Sequence, residues 1–124
     1  MNILIADDEK GIRALFKTYF LNELSDSAVD VVVNGVEAVD AFRAGNYDVL
    51  LLDLNMPEKS GYEALIEIQE ICRKEKRIMP FVIFCTGFAV PEEVEKLIAD
   101  KTHYSLLQKP VTYEQIVATF KTLK

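Results

Sequence analysis

Five times along this chain a short apolar run gives way to a stretch with helical spacing, and that alternation limits the folds open to it. The runs are Asn2-Ile3-Leu4-Ile5-Ala6, Val29 to Val33, Val49-Leu50-Leu51-Leu52, Phe81-Val82-Ile83-Phe84-Cys85 and Tyr104 to Leu107. Most are apolar at successive positions, the pattern of strands covered on both faces. After the first run, Ile12, Leu15, Phe16, Tyr19 and Phe20 recur at helical spacing and predict an amphipathic helix to about Asn22. Asn34 is placed to cap a helix carrying Val36, Val39 and Phe42, which Gly45-Asn46 should end. Ser60 to about Lys74 reads as the next helix, with Tyr62, Leu65, Ile68 and Cys72 along one side. Pro91 suits the first turn of a helix bearing Val94, Leu97 and Ile98. Thr112 and Gln115 form a T-x-x-Q capping box ahead of Ile116, Val117, Phe120 and Leu123. Strands alternating with helices in this way run parallel and are joined by right-handed crossovers, with helices on both faces. The expectation is a doubly wound α/β sandwich. Periodicity does not give the strand order.

The chain has 124 residues, one domain's worth over 1–124, and half of them are hydrophobic. A net charge of −6 argues against non-specific attraction to nucleic acid or to an anionic membrane. The longest apolar stretch, Ile78 to Val90, is broken by Pro80, Thr86 and Gly87 and is too short to span a bilayer. Met1-Asn2 runs straight into a strand, so no secretory leader is expected and a cytoplasmic location is. Cys72 and Cys85 match no metal or redox spacing and read as reduced thiols used as small hydrophobes. Arg73, Lys74, Lys76 and Arg77 read as a solvated, dipole-favoured helix end and not as a nucleic-acid patch.

Chemistry gathers where the strands end. The first strand ends in Asp7-Asp8-Glu9, the third in Asp53, the fourth in Thr86, and the fifth is followed by Lys109. In a parallel sheet these ends share one edge, the edge at which open α/β folds bind ligands. Acidic residues opening a helix also suit its dipole, which gives Asp7, Asp8 and Glu9 a purely structural reading. Three crowded carboxylates repel, however, by about 4 kcal/mol per pair at 4 Å and an effective dielectric near 20. Mg²⁺, which takes a few carboxylates, waters and phosphate oxygens, resolves that repulsion. A lysine and a threonine hydroxyl then complete a pocket for a phosphoryl group built on Asp53 as carboxylate nucleophile.

Taken together, Asp7-Asp8, the segment Leu52-Asp53-Leu54-Asn55-Met56-Pro57 through Gly61, Thr86-Gly87 and Lys109-Pro110 closely resemble the receiver domain of two-component response regulators, over essentially the entire chain. The resemblance implies a flavodoxin-like three-layer sandwich with strand order 2-1-3-4-5 and a site between strands one and three. It implies that Asp53 accepts phosphate from a histidine kinase or phosphotransfer protein. It implies Mg²⁺ held by Asp7, Asp8, Asp53 and the backbone carbonyl of Asn55. Lys109 would pair with Asp53 and then with its phosphate, and Thr86 would move onto the phosphoryl oxygens. Lys109-Pro110 would be a cis peptide. A downstream protein would read the surface of the fourth helix, fifth strand and fifth helix.

Some positions depart from the family. Receivers usually carry Tyr or Phe three residues before the lysine; here that residue is Leu106, with Tyr104 two positions away on the same strand face. Lys101-Thr102-His103 replaces the usual Gly-Ala, and Val111 replaces Phe after the Lys-Pro pair. These changes should leave phosphorylation intact and simplify the read-out. His103, in a loop, reads as a surface residue. A haloacid-dehalogenase-type phosphohydrolase would need Asp-x-Asp after strand one, where Asp7-Asp8-Glu9 stands. A nucleotide or flavin binder would need a glycine-rich or Walker sequence there. A docking module that is never phosphorylated would generally lack one of the acidic, threonine or lysine positions. The end of the chain about a turn past the last helix leaves two expectations open, a stand-alone receiver or a fragment of a longer regulator.

Overall fold

A computed structural model describes residues 1–24 and 26–121. Ten elements alternate: β1 (Asn2–Ala6), α1 (Lys10–Glu23), β2 (Ala28–Val32), α2 (Gly35–Ala44), β3 (Val49–Asp53), α3 (Gly61–Glu75), β4 (Phe81–Thr86), α4 (Glu92–Ile98), β5 (Tyr104–Gln108) and α5 (Tyr113–Lys121). The five strands form one sheet in the order β2-β1-β3-β4-β5, every pair parallel.

Because side chains alternate across a strand, each continuous apolar run supplies both faces. Leu4, Leu50, Leu52, Val82 and Phe84 pack on one side with Ala38, Val39 and Phe42 of α2, Leu65 and Ile68 of α3, and Val94 of α4. Ile3, Ile5, Val49, Leu51, Ile83 and Leu107 pack on the other with Phe16, Tyr19 and Phe20 of α1 and with Ile116 and Phe120 of α5. The aromatic rings of Tyr19, Phe20 and Phe120 meet there at centroid distances of 5.0–5.2 Å. Cys72 and Cys85 are buried free thiols on opposite faces.

The two expected caps form: the Asn34 carboxamide accepts from Glu37 N, and the capping box of Thr112 and Gln115 closes. A further capping box, of Ser60 and Glu63, closes at the start of α3. Pro91 takes the N-cap position of α4, one residue ahead of the first turn, and Leu123 lies outside the described residues. At the basic end of α3, Arg73, Lys74 and Lys76 are solvent-exposed as expected, and Arg77 is the half-buried exception. Arg73 and Lys74 pair with Glu70. The Arg77 guanidinium lies 4.2 Å from the Phe42 ring centroid and donates to the carbonyls of Phe42 and Gly45, so it ties down the end of α2. Among the described residues no helix is long and apolar enough to cross a membrane.

Candidate functional site

At the carboxyl edge of the sheet, β1 leads back towards β2 on one side while β3 leads towards β4 on the other. The connections diverge, leaving a crevice above the ends of β1 and β3. Asp7 follows β1 directly and Asp53 is the last residue of β3; each is only 2% exposed. Gly61 holds the floor in place, because any Cβ there would lie 2.3 Å from the Asp53 carbonyl oxygen. The first residue of α3 can therefore sit against the backbone of Asp53 only as glycine.

One lysine bridges the acids. Lys109, after β5, places Nζ 3.2 Å from Asp7 Oδ2 and 3.2 Å from Asp53 Oδ2. It lies nearer still to Glu9, 2.5 Å from Oε1. The Lys109-Pro110 bond is cis. Asp53 Oδ1 accepts from the backbone N–H of Asn55 at 3.0 Å, and Asp7 Oδ1 accepts from that of Glu9 at 2.8 Å. Arg13 of α1 donates to the Asp7 carbonyl at 2.9 Å.

Burial, joined by the charge of Asp7, pushes the Asp53 carboxyl up to about 6 despite the Asn55 N–H and Lys109. Burial likewise raises Asp7, against the Glu9 N–H and Lys109. For Lys109 burial opposes the charge, but the hydrogen bond to Glu9 and the fields of Asp7 and Asp53 outweigh it, and its pKa is raised. Two buried carboxylates share one ammonium, so the pocket is short of positive charge. Carboxylate oxygens of Asp7, Asp8, Glu9 and Asp53 lie within 4.8 Å of one another, an oxygen set suited to a hard divalent cation. Cys85, beside this cluster, is held protonated; burial, with Asp7 next, pushes its thiol up to about 12.

Thr86, the last residue of β4, is buried, but its hydroxyl is turned to the following loop and not to Asp53. Oγ1 accepts from Asn55 Nδ2 at 3.1 Å and from Phe88 N at 3.0 Å. The acidic residues anticipated from the sequence thus converge with Lys109, while Thr86 stands to one side, tethered through Asn55. Glu9 was read from the sequence only as a helix-dipole residue. It sits at the N-cap position of α1 without a side-chain cap bond, and its carboxylate holds Lys109 instead. The third carboxylate of the Asp7-Asp8-Glu9 run was the available signal. Tyr104 points inward, its ring 6.3 Å from that of Phe84 and its hydroxyl accepting from Gln69 Nε2 at 3.1 Å; Leu106 is half-buried against the same cluster. His103 is exposed in the loop before β5, in contact with Asp100 and Thr102.

Comparison with known proteins agrees with this geometry. The family model described as "Response regulator receiver domain" matches residues 3–121. The transcriptional regulatory protein ResD of Bacillus subtilis is 32% identical over 121 residues, covering 98% of this chain and 47% of ResD. The chemotaxis protein CheY of Halobacterium salinarum is 30% identical over 117 residues, 92% of each chain. Among solved structures, the receiver domain of the sensor histidine kinase PA1611 from Pseudomonas aeruginosa superposes with a TM-score of 0.75 at 23% identity, covering 98% of this chain and 94% of that one. That structure has a magnesium ion coordinated in its active-site cleft. The chain spans about half the length of ResD and nearly all of the Halobacterium CheY.

Proposed function

This chain belongs to the response regulator receiver domain family, and from that premise we propose that Asp53 is its phosphoacceptor. The observation that carries the assignment is the convergence on Asp53 of one half-buried ammonium and three further carboxylates. The acids fit a divalent cation, and Asp7, Asp8, Asp53 and the Asn55 backbone carbonyl would hold Mg²⁺, with Glu9 beside them. When bound, the ion supplies the positive charge that neutralises the acids and the phosphoryl oxygens.

The chain's own residues do the rest. An Asp53 carboxylate oxygen attacks phosphorus; the phosphorus–nitrogen bond of a phosphohistidine breaks, and the imidazole leaves with the electron pair and takes up a proton. From acetyl phosphate, a phosphorus–oxygen bond breaks and acetate leaves. Lys109 exchanges its pairing with Asp53 for a phosphoryl oxygen, and Thr86 supplies a hydroxyl donor. The donor is a histidine kinase or phosphotransfer protein, the reader is a downstream protein, and the reactions take place in the cytoplasm. Catalysis extends to the chain's own phosphorylation and dephosphorylation only.

The test is intact-mass measurement after incubation with acetyl phosphate and Mg²⁺. One phosphoryl group per chain should appear, and Asp53→Asn should abolish it. Undiminished labelling of the variant would overturn the assignment.

A further inference from the structure

Thr86 offers one proton and two lone pairs, and in this structure all three are used. Its Oγ1 accepts from Asn55 Nδ2 at 3.1 Å and from Phe88 N at 3.0 Å, and it donates to the Phe88 carbonyl at 3.4 Å. Thr86 is 1% exposed, so water cannot replace a lost partner without rearrangement. Asn55 itself is exposed, and its backbone is fixed by the N–H bond to Asp53 Oδ1. One residue therefore touches the buried carboxylate with its main chain and the buried hydroxyl with its side chain. Beyond the hydroxyl lies Phe88, 70% exposed and tied to it at both N–H and carbonyl.

We propose that the Asn55 side-chain amide is a latch: it holds the Thr86 hydroxyl, and through it the loop bearing Phe88, in the resting arrangement. Thr86 can donate to a phosphoryl group on Asp53 only by giving up the Phe88 carbonyl, and the turn of the hydroxyl also breaks the bond from Asn55. That bond biases the two-state equilibrium of the loop towards rest, and the phosphoryl group must outbid it. Asn55 is a positioning residue here; the proposal rests on Asp53 being the phosphoacceptor.

The test compares wild type, Asn55→Ala, Thr86→Ala and the double variant by amide NMR, with and without beryllofluoride plus Mg²⁺ as phosphoryl mimic. In resting Asn55→Ala, the Gly87 and Phe88 signals should move part of the way to their wild-type beryllofluoride positions. The midpoint of the beryllofluoride titration should fall about 3- to 10-fold, the worth of one hydrogen bond. With Thr86→Ala in the background, adding Asn55→Ala should change the midpoint less than twofold. An equal shift with and without the hydroxyl would overturn the latch, as would resting signals and a midpoint unchanged from wild type. If wild type itself shows no beryllofluoride response, the reading of Asp53 fails first and the latch falls with it.

Discussion

Leu50 and Leu52 in the middle of β3, and Asp53 at its end, are almost equally shielded from water, yet burial has opposite consequences for them. Each leucine gains on the order of 2 kcal/mol by leaving water and packing. The aspartate loses by it, because the Asn55 N–H and the shared Lys109 replace its hydration only in part. The interior of the sheet supplies stability that the carboxyl edge spends on keeping four carboxylates around one ammonium. A fold of this kind can carry a destabilised site because its inner strands β1, β3 and β4 are apolar on both faces almost to their ends.

Cutting into the interior should have the largest effect. Leu50→Ala leaves a cavity between the sheet and its helices and should cost about 2–5 kcal/mol in urea unfolding. The folded fraction should still label with acetyl phosphate, since Leu50 lies three residues from Asp53 on the strand. A loss below about 1 kcal/mol would mean that the core collapses around the gap and is less rigidly packed than its burial implies.

The edge should respond with the opposite sign. Asp53 titrates near 6 in the folded protein against 3.8 ordinarily, so the folded chain holds this proton more tightly than the unfolded one. The penalty is fully present above pH 6 and is relieved as pH falls through 6 towards 4. Metal-free protein should therefore gain from this group on going from pH 7.5 to pH 5. Asp53→Asn should remove that slope and raise stability at neutral pH by on the order of 1 kcal/mol. Lys109 does not mask the effect, because its raised pKa keeps it charged throughout this window. Mg²⁺ should stabilise wild type more than the variant. Thermal melts in EDTA that coincide for the two proteins at both pH values would show that Asp53 carries no burial penalty.

This contrast also explains what could be read from the sequence. The interior was legible because each strand repeats one signal over four or five residues, and the crossover rule leaves few ways to join such strands. Asn34 and Thr112 announced their helices because a cap is a local bond between near neighbours. At the edge, Asp7, Asp53 and Lys109 were legible as a set because strand ends in a parallel sheet meet. The partners of Glu9 and of the Asn55 amide were not. Glu9 reaches Lys109, a hundred residues further on, and Asn55 reaches Thr86, 31 residues on. Nothing in the local pattern separates a carboxylate serving a helix dipole from one holding a distant lysine. Arg77 was hidden in the same way, since its aromatic and carbonyl partners belong to α2.

The smallest effect should come from two residues with left-handed backbone, one beside the carboxyl edge and one away from it. Lys76 ends α3 at φ 54°, and Glu58 lies in the loop between Asp53 and Gly61 at φ 69°. A side chain costs roughly 1–2 kcal/mol in that conformation, while glycine adopts it freely but gives back roughly 0.5–1 kcal/mol in unfolded-chain entropy. Lys76→Gly and Glu58→Gly should thus each raise stability, by only about 0.5 kcal/mol. Function should tell them apart. At Lys76 the chain is closing a helix far along the sequence from the acids, and acetyl phosphate labelling should proceed at the wild-type rate. At Glu58 the added freedom enters the segment that carries Asn55 and leads into the close contact of Gly61 with Asp53. Labelling of Glu58→Gly should slow by roughly twofold, as orientation at the carboxylate loosens. Equal rates for the two variants would mean that Asp53 is positioned by β3 and α3 alone, and that the loop between them contributes no precision to the site.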